Sequence, residues 1–175
     1  GAQVSRIAAL AVADRGYASL PSALVSPTGP NDLLSSGRKA GGILVESGKR
    51  DGGDLWVAVG IGVNLATPPV AAERPATAFA AHLQTPPPAP LEALDVLRAA
   101  FDRWLTLWNT SGFVPIAQAW TGRAHGIGEP CQARLPNETV AGVAEGLESD
   151  GALRLRLPTG EVRRITAGDV FFGEV

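Results

Sequence analysis

Hydrophobic and polar positions change their period several times along the chain, and each change marks an element. Residues 3–15 are rich in Ala and Leu and stop at Gly16, which predicts a helix closed by a glycine. Over 17–30, Pro21, Pro27, Gly29 and Pro30 predict loop, with at most a short strand at Ala23–Ser26. Residues 40–47 and 55–65 read as strands joined by a polar hairpin, Gly48-Lys49-Arg50-Asp51-Gly52-Gly53. In the second strand Val57, Val59, Ile61, Val63 and Leu65 alternate on one face, which predicts that this face is buried. The other face carries Trp56, Ala58, Gly60, Gly62 and Asn64. Glycine weakens a strand, so two on one face point to close approach by a ligand or another backbone.

A stiff proline loop over 85–90 precedes a strong helix. Leu91, Leu94, Leu97, Phe101, Trp104, Leu105 and Trp108 fall at helical spacing, so this stripe is expected to pack in the core. A shorter helix is predicted from Val114 to about Arg123. Beyond Gly128 the period drops to two. Short runs at 129–135, 139–147, 152–157, 161–166 and 170–173 are separated by turn residues such as Ser149-Asp150-Gly151 and Pro158-Thr159-Gly160. Five short strands in about 47 residues suggest a small β-barrel. A boundary falls near 124–128 and divides the chain into 1–125 and 126–175.

The length of 175 residues is enough for a substantial hydrophobic core without disulfides or metals. With 15 Lys+Arg against 17 Asp+Glu the net charge is −2, so no global basic field draws in nucleic acid or an anionic membrane. The single cysteine, Cys131, excludes an internal disulfide framework and a Cys-rich zinc site. No apolar run approaches the roughly 20 residues that span a bilayer, and no signal peptide is visible. A soluble cytoplasmic protein is expected. The chain begins with glycine and contains no methionine, which suggests a fragment or a sequence with residues missing.

Several common sites fail on spacing. The stretch from Gly42 to Lys49 has its glycines one residue too far apart for a phosphate loop, and Arg50 stands where Ser or Thr would be required. Gly60-Ile61-Gly62 lacks the third glycine of a dinucleotide fingerprint, and Pro68-Pro69 block a following helix. No G-x-S-x-G elbow is present. His82 and His125 have no partner at ligand spacing, so no metal site is expected and each reads as a surface or packing residue.

One ordered set survives. Pro30-Asn31-Asp32-Leu33-Leu34 is followed by Gly37-Arg38-Lys39-Ala40-Gly41-Gly42-Ile43-Leu44-Val45-Glu46, and then by Gly60-Ile61-Gly62-Val63-Asn64-Leu65. With Arg74-Pro75-Ala76-Thr77, Trp120, the run 123–129 and the tail 164–172, this set resembles the biotin protein ligases over nearly the whole chain. Members carry Lys-Trp-Pro-Asn-Asp, Arg-Lys-x-Ala-Gly-Ile-Leu-x-Glu and Gly-x-Gly-x-Asn in this order. The resemblance implies an α+β class, with a class II aminoacyl-tRNA-synthetase-like biotin/lipoate ligase catalytic domain over 1–125, N-terminally incomplete, and a small SH3-like β-barrel over 126–175.

The implied activity is ATP-dependent attachment of biotin to a lysine of a biotin carboxyl carrier domain, through biotinyl-5'-adenylate. Biotin and ATP, with Mg2+ accompanying the ATP, are implied, and a homodimer is compatible. The first step brings a carboxylate to a phosphate, so fixed positive charge must offset their repulsion. Lys39 matches the family lysine with that role. Asn31 and Asp32 match the pair at the nucleotide and metal side, Arg38 is the neighbouring cation, Gly42 lets backbone approach biotin, and Asn64 matches the asparagine near the adenylate.

Three departures temper the resemblance. Thr28-Gly29 stands for Lys-Trp, which removes a cation and an aromatic surface. Gly41 stands for the usual Ala, a mild change. The family's Gly/Arg-rich biotin loop, upstream of the region matched by 3–15, has no counterpart here, and neither does the DNA-binding domain of some members. A catalytically inactive binding relative and a lipoate ligase relative are the alternatives. A bare nucleic-acid module built on Arg154, Arg156, Arg163 and Arg164 is weaker, because these read as a solvated barrel face.

Overall fold

Residues 2–13 form α1 (Ala2–Ala13), and from Ser5 to Ala13 every position is buried. That run explains the lack of polar periodicity. A helix packed on all sides needs small apolar residues all round, and here α2 and α3 and the first sheet close over it. The structure, a computed structural model, describes residues 1–14, 25–28, 31–70, 75–166 and 168–173. The expected glycine stop at Gly16, most of the loop over 17–30 with Gly29-Pro30, and Arg74 and Ala167 lie outside these residues.

The first sheet is antiparallel, in the order β1 (Ser26–Thr28), β2 (Asp32–Ser35), β3 (Arg38–Lys49), β4 (Leu55–Val63). The strand expected at Ala23–Ser26 therefore sits later, at β1. β2 is not among the expected strands; its apolar pair Leu33-Leu34 is buried, with β1 and β3 on either side. On β4 the expected alternation holds at Val59, Ile61 and Val63, which are half-buried against the core. Val57 is exposed instead, since α1 does not extend over the outer end of the β3–β4 hairpin.

A short 3-10 helix (Phe79–His82) leads to α2 (Pro90–Ser111) and α3 (Val114–Thr121). The expected apolar stripe of α2 holds at Leu97, Phe101, Trp104, Leu105 and Trp108, which pack against the core, and fails at its first two positions. Ala93 and Ala100 are buried against α1, with Leu97, Trp104, Leu107 and Trp108 beside them, whereas Leu91 is 75% and Leu94 54% exposed. The small alanines let the α1 and α2 backbones approach, and Leu91 and Leu94 fall to the side of that contact.

The remaining strands, β5 (Pro130–Arg134), β6 (Thr139–Leu147), β7 (Leu153–Arg156), β8 (Val162–Ile165) and β9 (Asp169–Phe172), form a second antiparallel sheet in the order β8-β7-β6-β5-β9. Leu153, Leu155, Ile165, Val170, Cys131 and Ala133 point into its core. The four arginines on its outer side are each paired: Arg154 with Glu148 at 2.7 Å, Arg156 with Glu145, Arg163 with Glu138 and Arg164 with Asp150. Hydrogen bonds from Arg163 and Arg156 hold Glu138 and Glu145 below the ordinary carboxylate range. The basic strip is thus locally neutralised.

The two sheets are joined through α1. Arg6, only 1% exposed, donates from Nε and Nη2 to the Gly151 carbonyl oxygen, both at 3.2 Å, and lays its guanidinium 4.5 Å from the Trp120 ring centroid. A buried cation needs such acceptors and a π-face to replace lost water. Burial still lowers the Arg6 pKa to about 10.

Candidate functional site

The site is an open groove of about 560 Å3 on one face of the first sheet. It is lined by Asn31, Asp32, Lys39, Gly42, Ile43, Leu44, Gly60, Ile61, Gly62 and Asp169. Register explains its floor. Gly42 of β3 faces Gly62 of β4, and Leu44 faces Gly60. A Cβ added at Gly60 or Gly62 would meet nothing closer than 3.7 Å, so glycine there leaves the floor open rather than relieving a clash. The bare face expected from the sequence is the face that lines the groove.

Lys39 reaches this groove through a bulge. Asp32 pairs with Gly42 and Leu33 with Gly41, but Leu34 pairs with Lys39, so Ala40 is an extra residue in β3. Side chains alternate along a strand, and unbroken alternation would put Lys39 opposite to Gly42. The extra residue restores it to the same face. Lys39 Nζ then lies 2.7 Å from Asp32 Oδ1. Lys39 is therefore a strand residue, the second of β3. Its main chain is fixed from the other side by Pro75 and Thr77: Lys39 N–H donates to the Pro75 carbonyl, and Thr77 N–H to that of Lys39, each at 2.9 Å.

Asn31 stands at the entrance to β2. Its carbonyl accepts the Ile43 N–H at 2.8 Å, and its Oδ1 accepts the Ser5 hydroxyl at 3.1 Å. Gly42 lies beside it, where a Cβ would come 3.8 Å from the Asn31 carbonyl oxygen and 3.8 Å from Lys39 Cε. The structure thus brings together Asn31, Asp32, Lys39 and Gly42. It does not bring in the other two expected residues. Arg38 is exposed and does not line the groove. Asn64 turns to the neighbouring segment, with Nδ2 donating to the Thr77 carbonyl at 2.9 Å and its backbone bonded to Ala40 and Phe79. It fastens the chain after β4 to the strand that carries Lys39.

Other expectations resolve similarly. His82 shares a hydrogen bond with the Thr77 hydroxyl at 3.0 Å, and His125 meets Phe172 edge-on. Gly41 is less neutral than it reads, because a Cβ there would sit 2.5 Å from the Gly62 carbonyl oxygen. The alanine usual in the related pattern would force the β3 and β4 backbones apart. Thr28 is buried in β1 rather than presented to the groove. Sequence reading missed one groove residue, Asp169. It begins β9 in the second sheet, and only the tail motif containing it could have drawn attention there.

Residues 126–173 match the family model described as the biotin protein ligase C terminal domain. The biotin--[acetyl-CoA-carboxylase] ligase of Paracoccus denitrificans is 43% identical over 184 aligned positions, covering 98% of this chain and 73% of the relative. The chain belongs to the biotin protein ligase family. Within that family, the bifunctional ligase/repressor BirA of Bacillus subtilis is 30% identical over 147 residues, and this chain spans 45% of its length. Among solved structures, the apo biotin protein ligase of Aquifex aeolicus superposes with a TM-score of 0.80 at 20% identity, covering 99% of this chain and 76% of that one. The same enzyme in complex with biotin and ATP gives 0.79 at 21% identity, over 99% and 72%. The two-sheet α+β architecture is thus the biotin protein ligase fold, and the chain is a member of a family of ligase enzymes.

Proposed function

We propose that this ligase activates biotin with ATP to biotinyl-5'-adenylate in the groove at Lys39, and transfers the biotinyl group to a lysine of a biotin carboxyl carrier domain. The observation that carries the reading is the ammonium of Lys39, held by Asp32 over a floor of glycines where ligand atoms can approach backbone. A carboxylate attacking the α-phosphate of ATP builds negative charge where both reactants are already anionic. A prearranged cation stabilises that charge without reorganising. Asn31 and Gly42 supply backbone and amide groups beside it, and Arg38 and Asn64 act at the edges, Asn64 by holding the segment after β4. The named ligands of the Aquifex aeolicus complex, biotin and ATP, support this choice of substrates.

Among the described residues no group of three or more His, Cys, Asp or Glu side chains could hold a metal ion. Asp32, the carboxylate in the groove beside Lys39, would be the residue to hold Mg2+ brought by the nucleotide, a hard cation that takes oxygen ligands. That ion would neutralise phosphate charge.

We read residues 1–125 as a class II synthetase-like catalytic domain and 126–175 as an SH3-like barrel. The match of the C-terminal family model to 126–173 supports that division. Biotin-dependent exchange of pyrophosphate into ATP tests the first step, and labelling of a purified carrier domain tests the second. Absence of both from the purified protein would defeat the reading in favour of an inactive binding relative.

A further inference from the structure

Resting on that reading, we propose that Asp169 receives the side-chain ammonium of the acceptor lysine. Every other described residue that lines the groove belongs to the first sheet or its immediate entrance, whereas Asp169 comes from β9 in the second sheet. The groove thus carries two carboxylates of different standing. Asp32 is buried and bonded to Lys39. Asp169 is exposed, and among the described residues it forms no ion pair. Its ladder partner Arg134 has its guanidinium 4.7 Å from the Phe171 ring centroid. An exposed carboxylate on the rim of this groove, with no ion pair among the described residues, is placed to take a cation that arrives.

The second step brings one. A carrier lysine comes as an ammonium, and the Asp32 carboxylate of the groove is already engaged by the Lys39 ammonium. Asp169 supplies the opposite charge from the second sheet. Once docked, the ammonium gives a proton to water. The amine nitrogen then attacks the acyl carbon of the mixed anhydride, and the bond from that carbon to the phosphate oxygen breaks. AMP leaves with the bonding pair, the nitrogen loses a further proton to solvent, and the amide remains. A neutral nucleophile such as hydroxylamine needs no such counter-charge.

The test compares Asp169→Asn with wild type in the full protein. Three reactions are measured: pyrophosphate exchange, transfer to a carrier domain of an acetyl-CoA carboxylase, and capture of the adenylate by hydroxylamine. The expected result is a loss on the order of five- to tenfold in carrier kcat/KM relative to both other reactions, expressed chiefly in KM. The loss should shrink as salt rises, because an exposed charge contact is screened, and Asp169→Glu should restore most of it. The proposal is overturned if exchange falls as far as transfer, which would place Asp169 on the nucleotide. It is also overturned if the ratio of carrier to hydroxylamine reaction is unchanged, or if the loss is indifferent to salt and to restoring the charge. Failure of wild type to exchange pyrophosphate would instead remove the underlying functional reading, and with it this assignment.

Discussion

Lys39 and Asp32 meet at 2.7 Å only because β3 carries one residue more than β2 opposes. The bulge takes a position that alternation would turn towards the core and presents it to the groove. Position, rather than charge alone, defines the lysine's role.

Replacing Lys39 with Ala should reduce biotin-dependent pyrophosphate exchange by a hundredfold or more, roughly the worth of a preorganised charge contact at a reacting phosphate. The groove is at the surface, so circular dichroism should report a folded protein. Exchange at the wild-type rate would detach Lys39 from the chemistry.

Asn64→Leu should act differently from a groove substitution. It removes the hydrogen bond to the Thr77 carbonyl, which is worth about 1–2 kcal/mol when an acceptor is left without its donor. Urea unfolding should show a loss of that size, and limited proteolysis should cut faster between residues 64 and 79. Unchanged stability together with weakened nucleotide binding would mean that Asn64 acts on ligand after all.

Gly151→Ala tests the contact between the second sheet and α1. Gly151 has φ +89°, and a Cβ there would lie 2.9 Å from the Gln3 backbone nitrogen. Backbone strain and displacement of α1 should together cost at least about 2 kcal/mol. A denaturation midpoint equal to wild type would show that the contact is not made in solution.

The pH dependence has a definite sign. Burial pushes the Cys131 thiol from 9.0 up to about 11. Between those values the unfolded chain releases the proton while the folded chain retains it, so stability falls as pH rises. Burial acts on Arg6 in the opposite sense, since its lowered pKa adds stability only as pH rises beyond about 10. Measurements between pH 9 and 10 therefore isolate the thiol, and Cys131→Ala should flatten the decline there. Equal slopes would refute the assignment. Ellman's reagent should also react with native Cys131 only as fast as the protein opens.

How much of this was legible in the sequence follows from the range of each cause. The bare face at Gly60 and Gly62 was readable, because a period of two and missing side chains are local facts. Asn31, Asp32, Lys39 and Gly42 came from the ordered motifs, and the structure gathers them. The bulge at Ala40 was not readable, since it is a mismatch between two strands and neither strand records it alone. Leu91 and Leu94 misled because helical spacing finds an apolar stripe but not the direction from which a neighbour comes. The small residues Ala93 and Ala100 marked that direction. Asp169 was beyond reach as a groove residue, because its position depends on how the second sheet lies against the first.

The bond from Arg6 to Gly151 joins residues 145 positions apart. During synthesis α1 leaves the ribosome long before the turn that accepts its arginine has been translated. Until then the apolar helix and its cation lack their final surroundings. Completion should therefore come as a late, concerted event, timed by the arrival of the second sheet rather than by growth of the first.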